Sequence, residues 1–292
     1  MTQGDPAQAG LSDGLRGILW MVATMALLGA ADAAGKVLME TNTVAQVVWA
    51  RWLYTWPMLL ILAPRLFSMA QTTRPAMQMF RGLLLLLTTT FLYTGFAYGP
   101  LADVTAVMFV APVAAVALSV PFLGERVNPM RWIGILVGFV GAMIIIRPGS
   151  AAIHWAAFMP LIAACLFACH QTAARHLSRT DSAMTILLYT SVVGAVLTGA
   201  VMPFQWAPLD GFGWLLIGVI AITGGGANFT MIKAFGAAPT AVVAPFMYTV
   251  LLWATAYGYI IYGEIPDVWT AVGAVVIVVT GIWVIRQEGA KS

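Results

Sequence analysis

The sequence predicts an all-α integral membrane protein, with ten transmembrane helices arranged as two inverted five-helix repeats. Three observations carry that prediction. Of the 292 residues, 61% are hydrophobic and only 9% charged, whereas soluble domains carry about 25% charged residues. The apolar residues fall into ten runs of the length a bilayer span needs, about 20 residues. One stretch also occurs twice: FLGERVNPMRWIGILVGFVGAMIIIR (122–147) is answered by IYGEIPDVWTAVGAVVIVVTGIWVIR (261–286). In both copies a Gly-Glu pair closes an apolar segment, a Pro follows, and a Gly-containing helix ends on Arg. Glu125 precedes Arg147, and Glu264 precedes Arg286, by 22 residues, and Gly134 and Gly273 each follow their Glu by nine. Upstream, AYGPLADVTAV (97–107) answers AFGAAPTAVVAP (234–245). A unit half the length of the chain is a duplication and not a solenoid.

In order, the spans are expected at 15–37, 43–64, 76–97, 102–122 and 129–147, then 154–176, 182–203, 212–235, 239–262 and 266–286. Residues 1–14 form a polar, disordered tail, 15–147 the first repeat, 154–286 the second, and 287–292 a C-terminal tail. Breaks are marked by Pro64-Arg65, Gly99-Pro100, Asn128-Pro129, Pro148-Gly149, Pro208-Leu209-Asp210-Gly211 and Pro266-Asp267. No loop is long enough for a soluble domain. Asp5 and Asp13 precede a lone Arg16, and the apolar run after it is long enough to span, so the N-terminus is not a cleavable signal. With both termini cytoplasmic, the inner side gathers Arg16, Arg65, Arg74, Arg81, Arg126, Arg131, Arg175, Arg179, Lys233, Arg286 and Lys291. The outer side keeps Lys36 and Arg147, which is the bias the positive-inside rule describes. Five is odd, so the repeats enter from opposite sides. Inverted repeats place a solute site near mid-membrane and supply alternating access.

The apolar segment, the Gly-Glu pair, the polar-Pro turn and the Gly-rich closing helix together resemble the end of the five-helix repeat of the drug/metabolite transporter superfamily, EamA branch. Within that branch the chain is most similar to bacterial aromatic amino acid exporters. The resemblance covers nearly the whole chain. It implies a multi-pass protein of the bacterial cytoplasmic membrane that exports small solutes, with aromatic and other neutral amino acids as the expected class.

Each candidate residue has a plain alternative. Glu125 and Glu264 sit just before new helices, where an acid favours the helix dipole and a structural role outweighs a proton-carrying one. Asn128 can cap its helix ahead of Pro129, and Pro266 can start the last one with Asp267 in its first turn. Asp32 and Lys36 lie four apart on one helix face, as a local ion pair or as a gate or proton-coupling site. Arg51, within WARWLYTW, reads as a contact among aromatic residues. Solute-binding candidates are Tyr93, Phe109, Phe167, His170, Asn228, Tyr248 and Trp253: aromatic faces and neutral polar groups where hydrocarbon would exclude them. Gly224 to Gly226 call for a close neighbour, backbone or ligand. Pro112 and Pro245 interrupt corresponding helices of the two repeats, and such paired breaks point to a transporter site. Gly134, Gly138 and Gly141 form a stripe for close helix contact. Cys165 and Cys169 read as packed core residues.

No phosphate-binding loop, HExxH sequence or nucleophile motif is present, so neither an enzyme nor a cofactor is expected. The net charge of +3 reflects basic loops on one face, not nucleic-acid binding. Expected partners are a small-molecule substrate and membrane lipids, with the chain as a monomer. Scarce mid-membrane cations favour a neutral or zwitterionic solute over an anionic one. The alternatives are a multidrug or other metabolite carrier of the same fold and, from another class, a membrane-embedded lipid enzyme.

Overall fold

The structure, a computed structural model, describes residues 6–62, 70–111, 114–115, 117–118, 129–146, 155–177, 180–238 and 243–289. Pro112, Glu125, Asn128 and Arg147 lie outside the described residues. Eleven α-helices are described: α1 (Pro6–Leu38), α2 (Val44–Trp52), α3 (Thr55–Leu62), α4 (Pro75–Tyr98), α5 (Leu101–Met108), α6 (Pro129–Ile146), α7 (Met159–Leu177), α8 (Ala183–Gln205), α9 (Gly211–Ala237), α10 (Thr249–Tyr262) and α11 (Val268–Gly289). Because α2 and α3 are two pieces of the second span, the described helices fall one to each of the ten expected spans, and four of them, α1, α4, α8 and α9, are by themselves long and apolar enough to cross a membrane. α1 starts at Pro6, upstream of the expected residue 15, with proline's fixed φ suited to a first helical turn.

Local chemistry sets the helix ends. Thr43 and Gln46 form a capping box on α2. Ser182 caps α8, and Asp210 caps α9 by accepting from Gly213 N at 2.6 Å. At α11 the expected order shifts by one residue: Asp267 lies before the helix and accepts from Thr270 N at 2.8 Å, so it caps the helix rather than joining its first turn. α10 ends at Gly263, whose φ of 67° falls in the left-handed region that only glycine enters freely.

The helix pairings display the duplication. Moving five spans along the chain takes α1 to α7, α2/α3 to α8, α4 to α9, α5 to α10 and α6 to α11. Under that exchange the α1–α9 contact becomes α7–α4, α2–α9 becomes α8–α4, and α1–α10 becomes α7–α5, and all six are present. Three further pairings, α2–α8, α5–α10 and α6–α11, map onto themselves. This is what a two-fold axis between inverted halves requires. At α6–α11 a Cβ on Gly273 would stand 2.7 Å from Gly141 O, so the two backbones touch there and a side chain would force them apart.

Turns on each face join the halves. On one face Gln46 donates to Ala207 O at 2.8 Å and Thr270 donates to Asp103 at 2.9 Å. On the opposite face Asp181 accepts from Thr72 and Gln78, each at 2.6 Å, and Tyr189 donates to Ala70 O. The outer wall is apolar, with Phe204 85% and Ile222 76% accessible. So broad an apolar exterior is suited to lipid. Cys165 is on this exterior rather than packed in the core. Tyr98, Trp155, Trp206, Trp214 and Trp269 are exposed at the Gln46 face, as an interfacial belt would be.

Candidate functional site

The second span is broken at Leu53 and Tyr54, between α2 and α3. Pro57 causes this break, because it has no N–H to donate to Leu53 O four residues back and its ring crowds that carbonyl. α9 packs against the broken segment. Its Gly224-Gly225-Gly226 run lets the broken segment come close: a Cβ on Gly225 would lie 3.0 Å from Tyr54 Cβ, and one on Gly224 would lie 4.0 Å from Arg51 O. The close neighbours of the glycines are therefore the Tyr54 side chain of the second span and, at Gly226, Leu27 of α1.

The break presents Arg51 to α1 and α4. Arg51 Nη1 donates to Asp32 Oδ1 at 2.9 Å and to the Tyr93 hydroxyl at 3.0 Å. That hydroxyl in turn donates to Asp32 Oδ1 at 3.1 Å, closing a triangle. Tyr93 is wholly buried, and a Cβ on Gly35 would overlap its ring, so α1 fixes the ring as well as the carboxylate. The Arg51 and Asp32 side chains keep 21% and 14% of their surface accessible. The partners lie on three helices, and the pair is neither fully buried nor fully exposed among them. The Tyr54 hydroxyl adjoins Ser191 and the Asn228 amide in the same region, and Asn228 Nδ2 donates to Gly224 O at 2.9 Å. The arrangement can hold a cationic and an anionic group side by side, next to aromatic rings.

Lys36 forms a second pair, one turn beyond Asp32. Its Nζ meets Glu264 Oε1 at 2.5 Å and Gly99 O at 2.9 Å, and lies 4.6 Å from the centre of the Tyr262 ring. Glu264 Oε2 accepts from Leu101 N at 3.1 Å. Two expectations are corrected here. Asp32 and Lys36 do not pair with each other, because each faces an opposite charge on another element. Glu264 does serve a helix start, but that of α5 and not of the helix that follows it.

A third polar cluster surrounds Arg81, which is buried within α4 rather than placed in a basic loop. Arg81 donates to Thr190 Oγ1, to Ile186 O at 3.3 Å and to His170 Nε2 at 3.2 Å. His170 Nδ1 donates back to Arg81 O at 3.1 Å, which fixes the tautomer. His170 thus braces α7 against α4. Phe167 stacks on it, with 5.7 Å between ring centres. The other candidates sit apart from Tyr93. Phe109 meets Tyr248 at 4.7 Å, and Trp253 stacks on Tyr257 at 6.0 Å beside Gly29. Pro245 falls in a 3-10 turn, Ala244–Tyr248, that leads into α10. The structure therefore brings together Asp32, Tyr93 and Asn228 from the sequence reading. It adds Arg51 and Tyr54, for which the available signal was a cation within a predicted span. Among the described residues no group of three His, Cys, Asp or Glu side chains could hold a metal ion.

Comparison with known proteins bears on what this arrangement does. The profile of the EamA-like transporter family matches residues 15–147 and 154–287. An S-adenosylmethionine uptake transporter from Rickettsia felis is 28% identical over 94% of each chain. A riboflavin transporter from Vibrio cholerae is 27% identical over 66% of this chain and 65% of its own. The pseudopaline exporter CntI of Pseudomonas aeruginosa is 30% identical over 66% of this chain and 68% of its own. A solved crystal structure, 17% identical, superposes with a TM-score of 0.55 over 99% of this chain and 100% of that one, which speaks to the fold alone.

Proposed function

Since the chain belongs to the EamA-like transporter family, and so is a membrane transporter rather than an enzyme, we propose that its cargo is a small zwitterion. The class is an amino acid, or a metabolite with an amino-acid head, that also carries a flat ring. One observation supports this most: the Asp32–Arg51 pair, enclosed between helices yet accessible, with Tyr93 on both partners. Ionised groups inside a membrane protein are expensive and are found where transport needs them. Arg51 suits the substrate carboxylate through its planar fork, Asp32 suits the ammonium, and Tyr93 and Tyr54 lie beside the head. S-adenosylmethionine, named for the Rickettsia felis relative, has such a head and ring, as do the aromatic amino acids expected from sequence.

Transport proceeds by alternating access between the inverted halves. Arg16, Arg74, Arg175 and Lys233 are exposed on the Asp181 face, whereas Glu40, Asp210 and Asp267 are exposed on the other. By the positive-inside rule the first is cytoplasmic, with both termini inside the bacterial inner membrane. Export of amino acids and uptake of S-adenosylmethionine both fit a carrier that follows its solute gradient. The test is counterflow in proteoliposomes with labelled phenylalanine, tryptophan, S-adenosylmethionine and riboflavin. Exchange of solutes with an amino-acid head, but not of riboflavin, is expected. Exchange of riboflavin alone would replace the head-group reading with one based on the ring.

A further inference from the structure

We propose that Lys36 and Glu264 form a gate on one side of the Asp32–Arg51 pair and a second, outer subsite for the zwitterionic head. The second role rests on the cargo proposed above. The pair joins residues 228 apart, one in each half of the duplicated chain. It also gathers three connections of one face: the end of α1, the α4–α5 turn through Gly99 O and Leu101 N, and the α10–α11 turn that carries Glu264. Its side chains are only 13% and 25% accessible, so the contact is largely enclosed without being sealed from solvent. Gly263, with its φ of 67°, aims Glu264 back at α1.

The placement on α1 is the second support. Lys36 follows Asp32 by four residues, about 6 Å along a helix. Each residue faces an opposite charge on another element, so α1 carries two consecutive cation–anion pairs. A zwitterion complements both. At the outer pair its carboxylate takes Lys36 and its ammonium takes Glu264. The bridge between the halves is then replaced by two bridges to the solute, and α1 is released from the α10–α11 turn. One turn further in, the same head meets Arg51 and Asp32. Opening is thereby coupled to the cargo's own charges.

The test uses the full chain with Cys165→Ser and Cys169→Ser, and Asn228→Cys, half-buried beside Tyr54, as the reporter. A membrane-impermeant thiol reagent is applied to right-side-out and to inverted vesicles. Lys36→Met and Glu264→Gln should each raise the labelling rate at least ten-fold from the side that carries Glu264, with no change from the other side. The charge swap Lys36→Glu with Glu264→Lys should restore slow labelling, and it carries the test if either single variant fails to accumulate. In the parent, phenylalanine or S-adenosylmethionine should speed labelling from that side, and in the Glu264→Gln variant it should not. Unchanged labelling in the single variants, or a swap as fast as they are, overturns the gate. A gate that responds to the variants but to neither solute overturns the subsite alone. Failure of the parent to exchange any zwitterion in counterflow would instead refute the cargo and leave the gate result standing.

Discussion

α1 and α7 occupy the same place in the two repeats, yet their polar residues do different work. Glu125 and Glu264 are 139 residues apart, and the same step carries Asp32 to Gln171 and Lys36 to Arg175. On α1 the charges reach across to Arg51 and Glu264 and remain partly accessible. On α7 the neighbouring His170 is buried and bound to Arg81, which has no carboxylate within ion-pair distance among the described residues. One cluster is compensated charge at an accessible place, and the other is a neutral imidazole bracing a buried guanidinium. The difference teaches that duplication built the scaffold, whereas the site came from divergence within it. Chemistry concentrates where α2/α3 is broken, while its counterpart α8 runs unbroken from Ala183 to Gln205.

The largest effect should come from breaking the α1 side. Arg51→Gln leaves Asp32 uncompensated, and loss of one partner of a buried pair costs about 3–5 kcal/mol. The double variant Asp32→Asn with Arg51→Gln should regain most of that stability in a detergent melt. Its counterflow should still stay at least ~100-fold below the parent, about 2.7 kcal/mol of lost solute interaction. A double variant that transports normally would reduce the pair to a structural bridge.

A smaller and opposite pattern is expected on α7. His170→Ala removes the acceptor for Arg81 Nη2 and the donor to Arg81 O, which should lower stability by about 1–3 kcal/mol. Counterflow per folded molecule should remain within about two-fold of the parent, since a lost brace leaves the site chemistry in place. Strong loss of exchange with an unchanged melt would place His170 in the solute path and erase the contrast.

The smallest effect concerns Asp181, in the turn between α7 and α8. The Thr72 hydroxyl and then the Gln78 amide hold its carboxyl below the ordinary 3.8. Lowering the folded-state pKa gives stability that is present above the unfolded value and lost as pH falls through the folded one. Asp181→Asn should therefore flatten the acid side of the melting profile below about pH 4, by less than about 1 kcal/mol, because the group faces solvent. An unchanged slope would show that the turn contributes no measurable linkage.

Much of the architecture was legible. Apolar run length located the spans, the Gly-Glu repeat disclosed the duplication, and the odd number of spans per repeat gave the inversion, because all three are read from the order of residues along the chain. Asp32 was legible as an ionisable group within a span, Tyr93 as an aromatic solute-binding candidate, and Asn228 as a polar group too deep to face lipid. The partnerships were not. Asp32 and Lys36 at helical spacing look like each other's counterions, and only the packing of α2 and α10 against α1 supplies better ones. The break at Leu53 had a local signal in Pro57, four residues on, which counting apolar run length passes over. His170 was read as a solute-binding candidate, whereas its hydrogen bonds go to Arg81, which basic-loop counting had placed at the membrane surface.

The contact between Gly141 and Gly273 has a mechanical consequence. Ile145 stands over Gly273 and Ile277 over Gly141, so each glycine is the socket for an isoleucine of the other helix. The pairing lies on the axis that exchanges the halves, so any rocking there turns about two seated pegs, like a hinge with its pins in place. A side chain on either glycine would unseat its pin.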